Sequence, residues 1–132
     1  MSELNATLDL PLGLIAPAAA RKAVRHLLIG WELSDPVWLD DAELVVSELV
    51  TNAVRYGGGC IALSLQAHEG QVLVQAADGS SVIPRDRGPH ADGGGGYGLR
   101  VIESCGESWG VEDFHGGKQV WVRLRPCPRP GD

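Results

Sequence analysis

The chain has 132 residues, enough for one domain with one core, and its content of 44% hydrophobic and 21% charged residues is ordinary for a folded protein. Its net charge of −6 argues against a surface that binds DNA or RNA, because such surfaces need clustered Lys and Arg. No apolar run approaches the roughly 20 residues that span a membrane, and no secretory signal is visible, so we expect a cytoplasmic location.

The first part of the chain is predicted to form one strand and two helices. Residues 6–12 alternate leucines with polar or small residues, a pattern typical of a half-buried strand. Residues 18–31, which follow Pro17, place apolar side chains on one face and basic side chains on the other, as in an amphipathic helix. A second helix is predicted from about residue 37 to residue 56, where three glycines end it.

The second part of the chain is predicted to form two hairpins separated by a loop and a short helix. In order, we expect a hairpin at 60–78 with its turn at 68–70, a loop at 79–96, a helix at 97–105, a hairpin at 111–125, and a disordered Pro-rich tail at 125–132. This order predicts a single α+β domain with a core at about 8–124. We expect a two-layer α/β sandwich whose mixed, mostly antiparallel sheet carries helices on one face.

Cysteine and histidine spacing gives no indication of a disulfide framework or a metal site. The three cysteines, Cys60, Cys105 and Cys127, are far apart and odd in number, and the four histidines lack the i, i+4 spacing of a helical metal site. We therefore expect free thiols and assign no chemistry to histidine.

Two polar side chains interrupt the apolar pattern of the second helix. Glu48 and Asn52 are one turn apart, so their side chains point the same way. If that face lines a pocket, Asn52 can supply an oxygen ligand to Mg²⁺, and Glu48 can take a proton from an attacking hydroxyl or water. The alternative is an ordinary solvated or capping polar stripe, which leaves the pair without chemistry.

An acid and a glycine tract follow in the second half of the chain. Asp78 ends an apolar strand, where a fixed carboxylate can accept a hydrogen bond from an exocyclic amine such as that of adenine, or can serve only as a turn residue. The stretch GGGGYG at 93–98 runs directly into a helix, so its backbone amides can close around phosphate oxygens, or it can be a flexible linker. Neither the P-loop pattern nor the Rossmann fingerprint fits these glycines.

The order and spacing of these signals carry a resemblance. E-L-V-T-N-A on a helix, D-G-S at a strand end and a glycine loop ending in G-Y-G-L resemble the N, G1 and G2 boxes of the gyrase, Hsp90, histidine kinase and MutL type of ATP-binding domain, the Bergerat fold. The branch that the chain resembles most is that of the small anti-sigma-factor serine kinases of Gram-positive bacteria. SELVTNAVRYG and SWGVEDFHGGKQVWVRL are similar to actinobacterial members, and the resemblance spans residues 8–124.

The resemblance implies a role for each matching residue. Glu48 matches the catalytic general base, Asn52 the Mg²⁺ ligand, and Asp78 the acid that reads the amino group of adenine. The lid over the ATP phosphates is expected to include Gly94, Gly96, Gly98 and Leu99.

The chain departs from the family's pattern at three positions. Ser80 stands where the first glycine box often has Gly, and Gln119 stands where a Thr or Ser often follows the Gly-Lys of the final hairpin. Tyr56 stands where His is frequent. Lys118 lies near the final strand pair, which closes the pocket in the family, and we assign it no contact.

The resemblance implies a homodimeric protein serine/threonine kinase that uses ATP and Mg²⁺ to phosphorylate an anti-anti-sigma partner and thereby regulates a sigma factor. The alternative is a regulatory protein without catalysis, which sequesters its partner with or without ATP, and the residues Ser80 and Gln119 favour it. An isolated histidine-kinase catalytic domain is disfavoured, because no helix with a phosphoacceptor histidine precedes the domain.

Overall fold

A computed structural model describes residues 3–11, 13–56, 60–79, 98–114 and 116–129, with the backbone alone at residues 56, 60, 61, 98, 99 and 114. In chain order, the elements are β1 (Leu4–Leu8), a 3-10 turn (Gly13–Ile15), α1 (Ala16–Gly30), α2 (Pro36–Tyr56), β2 (Cys60–His68), β3 (Gln71–Asp78), α3 (Gly98–Cys105), β4 (Gly106–Phe114) and β5 (Gly117–Leu124). The predicted helices and the predicted central hairpin are confirmed. The predicted loop at 79–96 lies, apart from residue 79, outside the described residues.

The five strands form one sheet in the order β1-β2-β3-β5-β4, and each neighbouring pair is antiparallel. The predicted α+β fold is therefore confirmed. The expected mixture of parallel and antiparallel pairs is wrong for the described strands. The reason is that the β4–β5 hairpin inserts β5 between β3 and β4, so that β5 runs antiparallel to both neighbours.

The core lies between one face of the sheet and the helices. Alternate residues of the three central strands are buried in a core that also contains residues of α1 and α2, namely Leu63, Leu65, Val72, Val74, Val120 and Val122. Each such side chain stabilises the fold by about 1.5–3 kcal/mol when it leaves water. The other face of the same strands carries mostly polar residues, including Ser64, Gln66, Gln75, Gln119 and Arg123. The helices therefore cover one face, as predicted.

The start of α2 is set by a local sequence signal, Ser34-Asp35-Pro36. The Trp38 backbone N–H donates to Asp35 Oδ2 at 2.9 Å, which satisfies one of the N–H groups that the first helical turn leaves unpaired. Pro36 occupies the first helical position, where its missing N–H costs nothing. This cap fixes where the helix with Glu48 and Asn52 begins.

The β2–β3 hairpin turns through two residues, Glu69 and Gly70, with φ of 53° and 81°. Two successive positive φ values are typical of the type I′ turn, whose twist matches that of paired strands. The turn sets the register that carries β3 through to Asp78 at its far end.

The first strand is shorter than its leucine pattern predicts. Strand β1 pairs with β2 from Leu4 to Leu8 and ends there, so the predicted extension through residues 9–12 is wrong at residues 9–11, and residue 12 lies outside the described part. Pro11 has no N–H to donate to a ladder, which disfavours an extension of the strand through it. Leu8 and Leu10 still pack against the core.

The Pro-rich tail is packed on the domain as far as it is described. Cys127 is buried, and its backbone N–H donates to the Gly70 carbonyl oxygen at 3.0 Å. The Trp38 indole N–H donates to the Arg125 carbonyl oxygen at 2.7 Å, and the Arg125 side chain donates to the Ser104 carbonyl oxygen. The prediction of disorder is therefore wrong for residues 125–129, because these long-range hydrogen bonds hold a segment that its composition alone would leave mobile.

We expect Trp38→Phe to lower the free energy of unfolding by about 1–2 kcal/mol, because it removes the indole N–H and leaves the Arg125 carbonyl oxygen without that donor. Urea denaturation checks this, with Trp109→Phe as the control, since the described residues give the half-buried Trp109 indole no acceptor. Equal losses in the two variants would show that the hydrogen bond to the tail contributes nothing.

Cys105 and Cys127 are free thiols, as predicted, and burial raises the pKa of both. The side chain of Cys60 lies outside the described part of the chain. None of the described helices is both long enough and apolar enough to cross a bilayer.

Candidate functional site

Helix α2 presents Glu48 and Asn52 at the border of its buried stripe. Both side chains are half-buried, whereas Leu49 and Ala53, the residues that follow each of them, are fully buried in the domain. The helix is continuous from residue 36 to residue 56, so the one-turn spacing that the sequence predicts is present. The two polar groups therefore lie side by side in a partly desolvated position.

The carboxyl of Glu48 is a stronger base than an exposed glutamate. Burial raises its pKa above the ordinary 4.5, because a partly dry environment disfavours the charged form. The positive charge of Arg55 opposes this effect and lowers the pKa, but it is the smaller of the two influences. A carboxylate with a raised pKa suits the acceptance of a proton near neutral pH.

Polar contacts between α1 and α2 fix the rotation of α2. The Arg21 guanidinium donates to Ser47 Oγ at 2.8 Å, next to Glu48 along the chain. The Arg25 guanidinium pairs with both Asp40 and Glu43, which lie one to two turns before Ser47 on α2. The exposed part of this network adds little stability, but together these contacts restrict which face of α2 turns away from α1.

Asp78 and Lys118 form a buried ion pair at one end of the sheet. The Lys118 ammonium donates to Asp78 Oδ1 and Oδ2, at 2.9 Å each. Asp78 is 2% exposed and Lys118 is 5% exposed. The two residues are direct cross-strand partners in the register of β3 and β5, and Asp78 is the last residue of β3. Asp78, which the family resemblance predicts to contact the adenine base, therefore already has a cationic partner.

A glycine lets the two strands approach each other beside this pair. A Cβ atom on Gly117 would collide with the Asp78 carbonyl oxygen and would lie 2.7 Å from the Gly79 Cα. Backbone atoms cannot move aside as the end of a flexible side chain can, so a side chain at position 117 would push β5 away from β3. Gly117 is therefore required by space, and it keeps Lys118 within reach of Asp78.

The energetics of the pair favour its persistence. Removing one partner from a buried ion pair costs about 3–5 kcal/mol, because the other charge is left uncompensated in a dry environment. A single hydrogen bond to a charged group contributes about 1.5–3 kcal/mol. A ligand that offers Asp78 one hydrogen bond therefore gains less by displacing Lys118 than the displacement costs.

The elements that carry the predicted site residues contact one another. Helix α2 packs on β3 and β5, the strands of Asp78 and Lys118, and α3 packs on α2. Gly98 and Leu99 are the first two residues of α3, as the prediction of a loop running into a helix requires. Gly94 and Gly96 lie outside the described residues, so their predicted place in a phosphate loop stays a prediction.

A scan against protein families matches residues 14–125 to the histidine kinase-like ATPase domain. The chain belongs to this family. No curated protein matches it. The match includes every predicted site residue, from Glu48 on α2 to Leu99 on α3.

Two solved structures share the fold of this ATPase domain. The RsbU and RsbW domains of Rv1364c from Mycobacterium tuberculosis align with a TM-score of 0.66 at 20% identity, over 100% of this chain and 35% of that one. The SiaB–SiaC complex from Pseudomonas aeruginosa aligns with a TM-score of 0.55 at 16% identity, over 90% of this chain and 88% of that one. This chain thus spans about a third of the Rv1364c chain. The structural likeness confirms the predicted Bergerat-type fold.

The described residues of this ATPase domain fit a Mg²⁺–nucleotide. Asp78 is a buried acceptor at the end of a strand, and Asn52 offers an amide oxygen on α2. Within the described ranges, no three His, Cys, Asp or Glu side chains cluster as a metal site.

Lys118, for which the sequence predicts no contact, lies against Asp78 in the structure. The available signal was a lone lysine at the start of an apolar strand, in GKQVWVRL. That signal is ambiguous, because such a lysine is usually exposed. Only the register between two strands that lie 40 residues apart brings it to the acid.

Proposed function

We propose that this chain is an ATP-dependent protein serine kinase of the anti-sigma-factor type, with a serine on an anti-anti-sigma protein as its substrate. The observation that carries the proposal is the half-buried Glu48, whose pKa is raised by burial and which lies one turn before Asn52 on α2. A purely solvated polar stripe would leave that carboxyl exposed and its pKa near the ordinary value.

The residues divide the work of phosphoryl transfer. Glu48 accepts the proton of the attacking serine hydroxyl, which makes the oxygen a better nucleophile. Asn52 would hold Mg²⁺, whose positive charge would stabilise the negative charge of the transferring phosphoryl group. Asp78 accepts a hydrogen bond from the adenine base, and the resemblance implies that the glycine segment with Gly94 and Gly96 binds the phosphates.

The test is transfer of phosphate from Mg-ATP to candidate anti-anti-sigma proteins. Labelled ATP, the purified chain and each candidate are incubated together, and the labelled serine is located by mass spectrometry. We expect transfer to one candidate, with none when Mg²⁺ is chelated. No transfer to any candidate, with ATP bound, would overturn the kinase proposal.

The pH dependence of the rate should follow Glu48. The group works only when deprotonated, so we expect the rate of transfer to rise with pH through an inflection that lies above the ordinary pKa of 4.5. Single-turnover rates measured across the acid range at saturating ATP check this. A rate that is flat across that range would contradict a base with a raised pKa.

The Asp78–Lys118 pair favours a second candidate function, a regulator that binds its partner without transferring phosphate. Both carboxylate oxygens of Asp78 are engaged by Lys118, which weakens the attraction of this acid for an incoming amine. Calorimetry with ATP, with and without Mg²⁺, separates the cases. Binding without turnover would indicate an ATP-gated switch, and the absence of binding would indicate sequestration alone.

The regulated process would be transcription through a sigma factor. In this scheme, the unphosphorylated partner frees the sigma factor, and phosphorylation breaks that partnership. We also propose that the chain acts as a homodimer, as the resemblance to the anti-sigma kinases implies. Light scattering coupled to size-exclusion chromatography measures the oligomeric state directly.

A further inference from the structure

Lys118 is a buried cation that the proposed function does not yet use. Its ammonium has three donors, and the contacts with Asp78 Oδ1 and Oδ2 use two of them. Within the described ranges of the chain, no residue gives it a third acceptor. A buried ammonium with a spare donor favours a ligand that brings an acceptor to the same place.

A nucleobase that binds beside Asp78 would not displace Lys118. Displacing Lys118 would cost more free energy than one new hydrogen bond to the carboxylate would recover. A carboxylate has about four lone-pair positions, so Asp78 can accept from more than one donor while Lys118 remains in contact. A nucleobase at this end of β3 and β5 would therefore meet both residues, an acceptor on Asp78 beside a donor on Lys118.

Adenine offers the matching pattern on its Watson–Crick edge, where the 6-amino donor lies next to the N1 acceptor. We propose that Lys118 is a second base-reading residue, which donates to adenine N1 while Asp78 accepts from the 6-amino group. The inference rests on the proposed use of ATP and adds a specificity determinant to it. Guanine in the same orientation would place its O6 acceptor against Asp78 and its N1–H donor against Lys118, so both contacts would be repulsive.

The first test uses the unmodified chain and three nucleotides with altered edges. Calorimetry compares ATP with 1-deaza-ATP, which lacks the N1 acceptor, with purine riboside triphosphate, which lacks the 6-amino group, and with GTP. We expect 1-deaza-ATP and purine riboside triphosphate each to bind about 10- to 100-fold more weakly than ATP, the size of one hydrogen bond to a charged group, and GTP to bind more weakly than either, because both contacts are lost.

The second test removes the ammonium. In Lys118→Met, we expect ATP and 1-deaza-ATP to bind with equal affinity, because no donor is left to meet N1. The control is Lys22→Met, since Lys22 is exposed on α1, and it should keep the full preference for ATP. The double variant Asp78→Asn/Lys118→Met leaves neither charge of this pair and should show the same loss of preference, which covers the case in which the single variant fails to fold.

The outcomes separate this inference from the function on which it rests. Equal binding of ATP and 1-deaza-ATP by the unmodified chain would overturn the role of Lys118 and leave the kinase proposal standing. Tighter ATP binding by Lys118→Met would also overturn it, because Lys118 would then be an obstacle to the base. If the unmodified chain binds no ATP at all, the kinase proposal fails and this inference fails with it.

Discussion

Glu48→Gln should lower the rate of phosphoryl transfer by about 10²- to 10⁴-fold, the usual contribution of a positioned general base. The glutamine keeps the size and shape of the side chain but cannot accept the serine proton. Single-turnover transfer from Mg-ATP to the partner at saturating ATP measures the chemical step. ATP affinity should change little, because the role assigned to Glu48 is in the transfer step rather than in binding.

The stability of Glu48→Gln provides the folding control. Burial raises the pKa of Glu48, so its contribution to stability is present below the unfolded-state pKa and is lost as pH rises through the folded-state pKa. The variant avoids that loss. We therefore expect its free energy of unfolding at neutral pH to equal or exceed that of the unmodified chain, by less than about 1 kcal/mol, because solvent still screens a half-buried group.

A matched substitution on the same helix isolates the catalytic role. Glu43 is also a half-buried glutamate of α2, but it pairs with Arg25. Glu43→Gln should leave the transfer rate within about twofold and lower stability only slightly. If Glu48→Gln and Glu43→Gln transferred phosphate equally well, Glu48 would not be the base.

Lys118→Met should lower the free energy of unfolding by about 3–5 kcal/mol, the largest loss of stability that we predict for a single substitution in this domain. Methionine fills the volume of the lysine stem but leaves the Asp78 carboxylate, 2% exposed, without its ammonium. Total stabilities of single domains are only about 5–15 kcal/mol, so the variant should show a markedly lower urea midpoint and Tm.

A double-mutant cycle shows whether the loss arises from the pair. Asp78→Asn should also destabilise the domain, because it weakens the only acidic partner of Lys118 among the described residues. Asp78→Asn/Lys118→Met should lose less than the sum of the two single changes, because neither partner then leaves an uncompensated charge. The exposed Lys22→Met should stay within about 0.5 kcal/mol of the unmodified chain. Additive losses would mean that the two buried groups do not stabilise each other.

The elements that were predicted well are those that short-range chemistry determines. Helix α2 starts at an Asp-Pro cap signal, and the β2–β3 hairpin turns at Glu69-Gly70, as local residue preferences require. The proximity of Glu48 and Asn52 also follows from helix geometry alone. The order of the G1 and G2 boxes also predicts the fold class, which the family match confirms.

The errors came from segments whose structure depends on distant partners. The tail at 125–129 has a composition typical of disorder, yet Trp38 and Gly70 hold it in place. The order of elements predicts a mixed sheet, and the sequence does not reveal that β5 lies between β3 and β4. Such long-range pairings depend on the whole packing arrangement rather than on any one segment.

The sequence by itself determined which residues lie on α2, where the β2–β3 hairpin turns, and that an acid ends β3, because helix period and turn chemistry act over only a few neighbouring residues. The tertiary structure alone decided that Lys118 contacts Asp78, 40 residues away along the chain, and that burial raises the pKa of Glu48. Both depend on register and burial, which arise only when the strands and helices pack together.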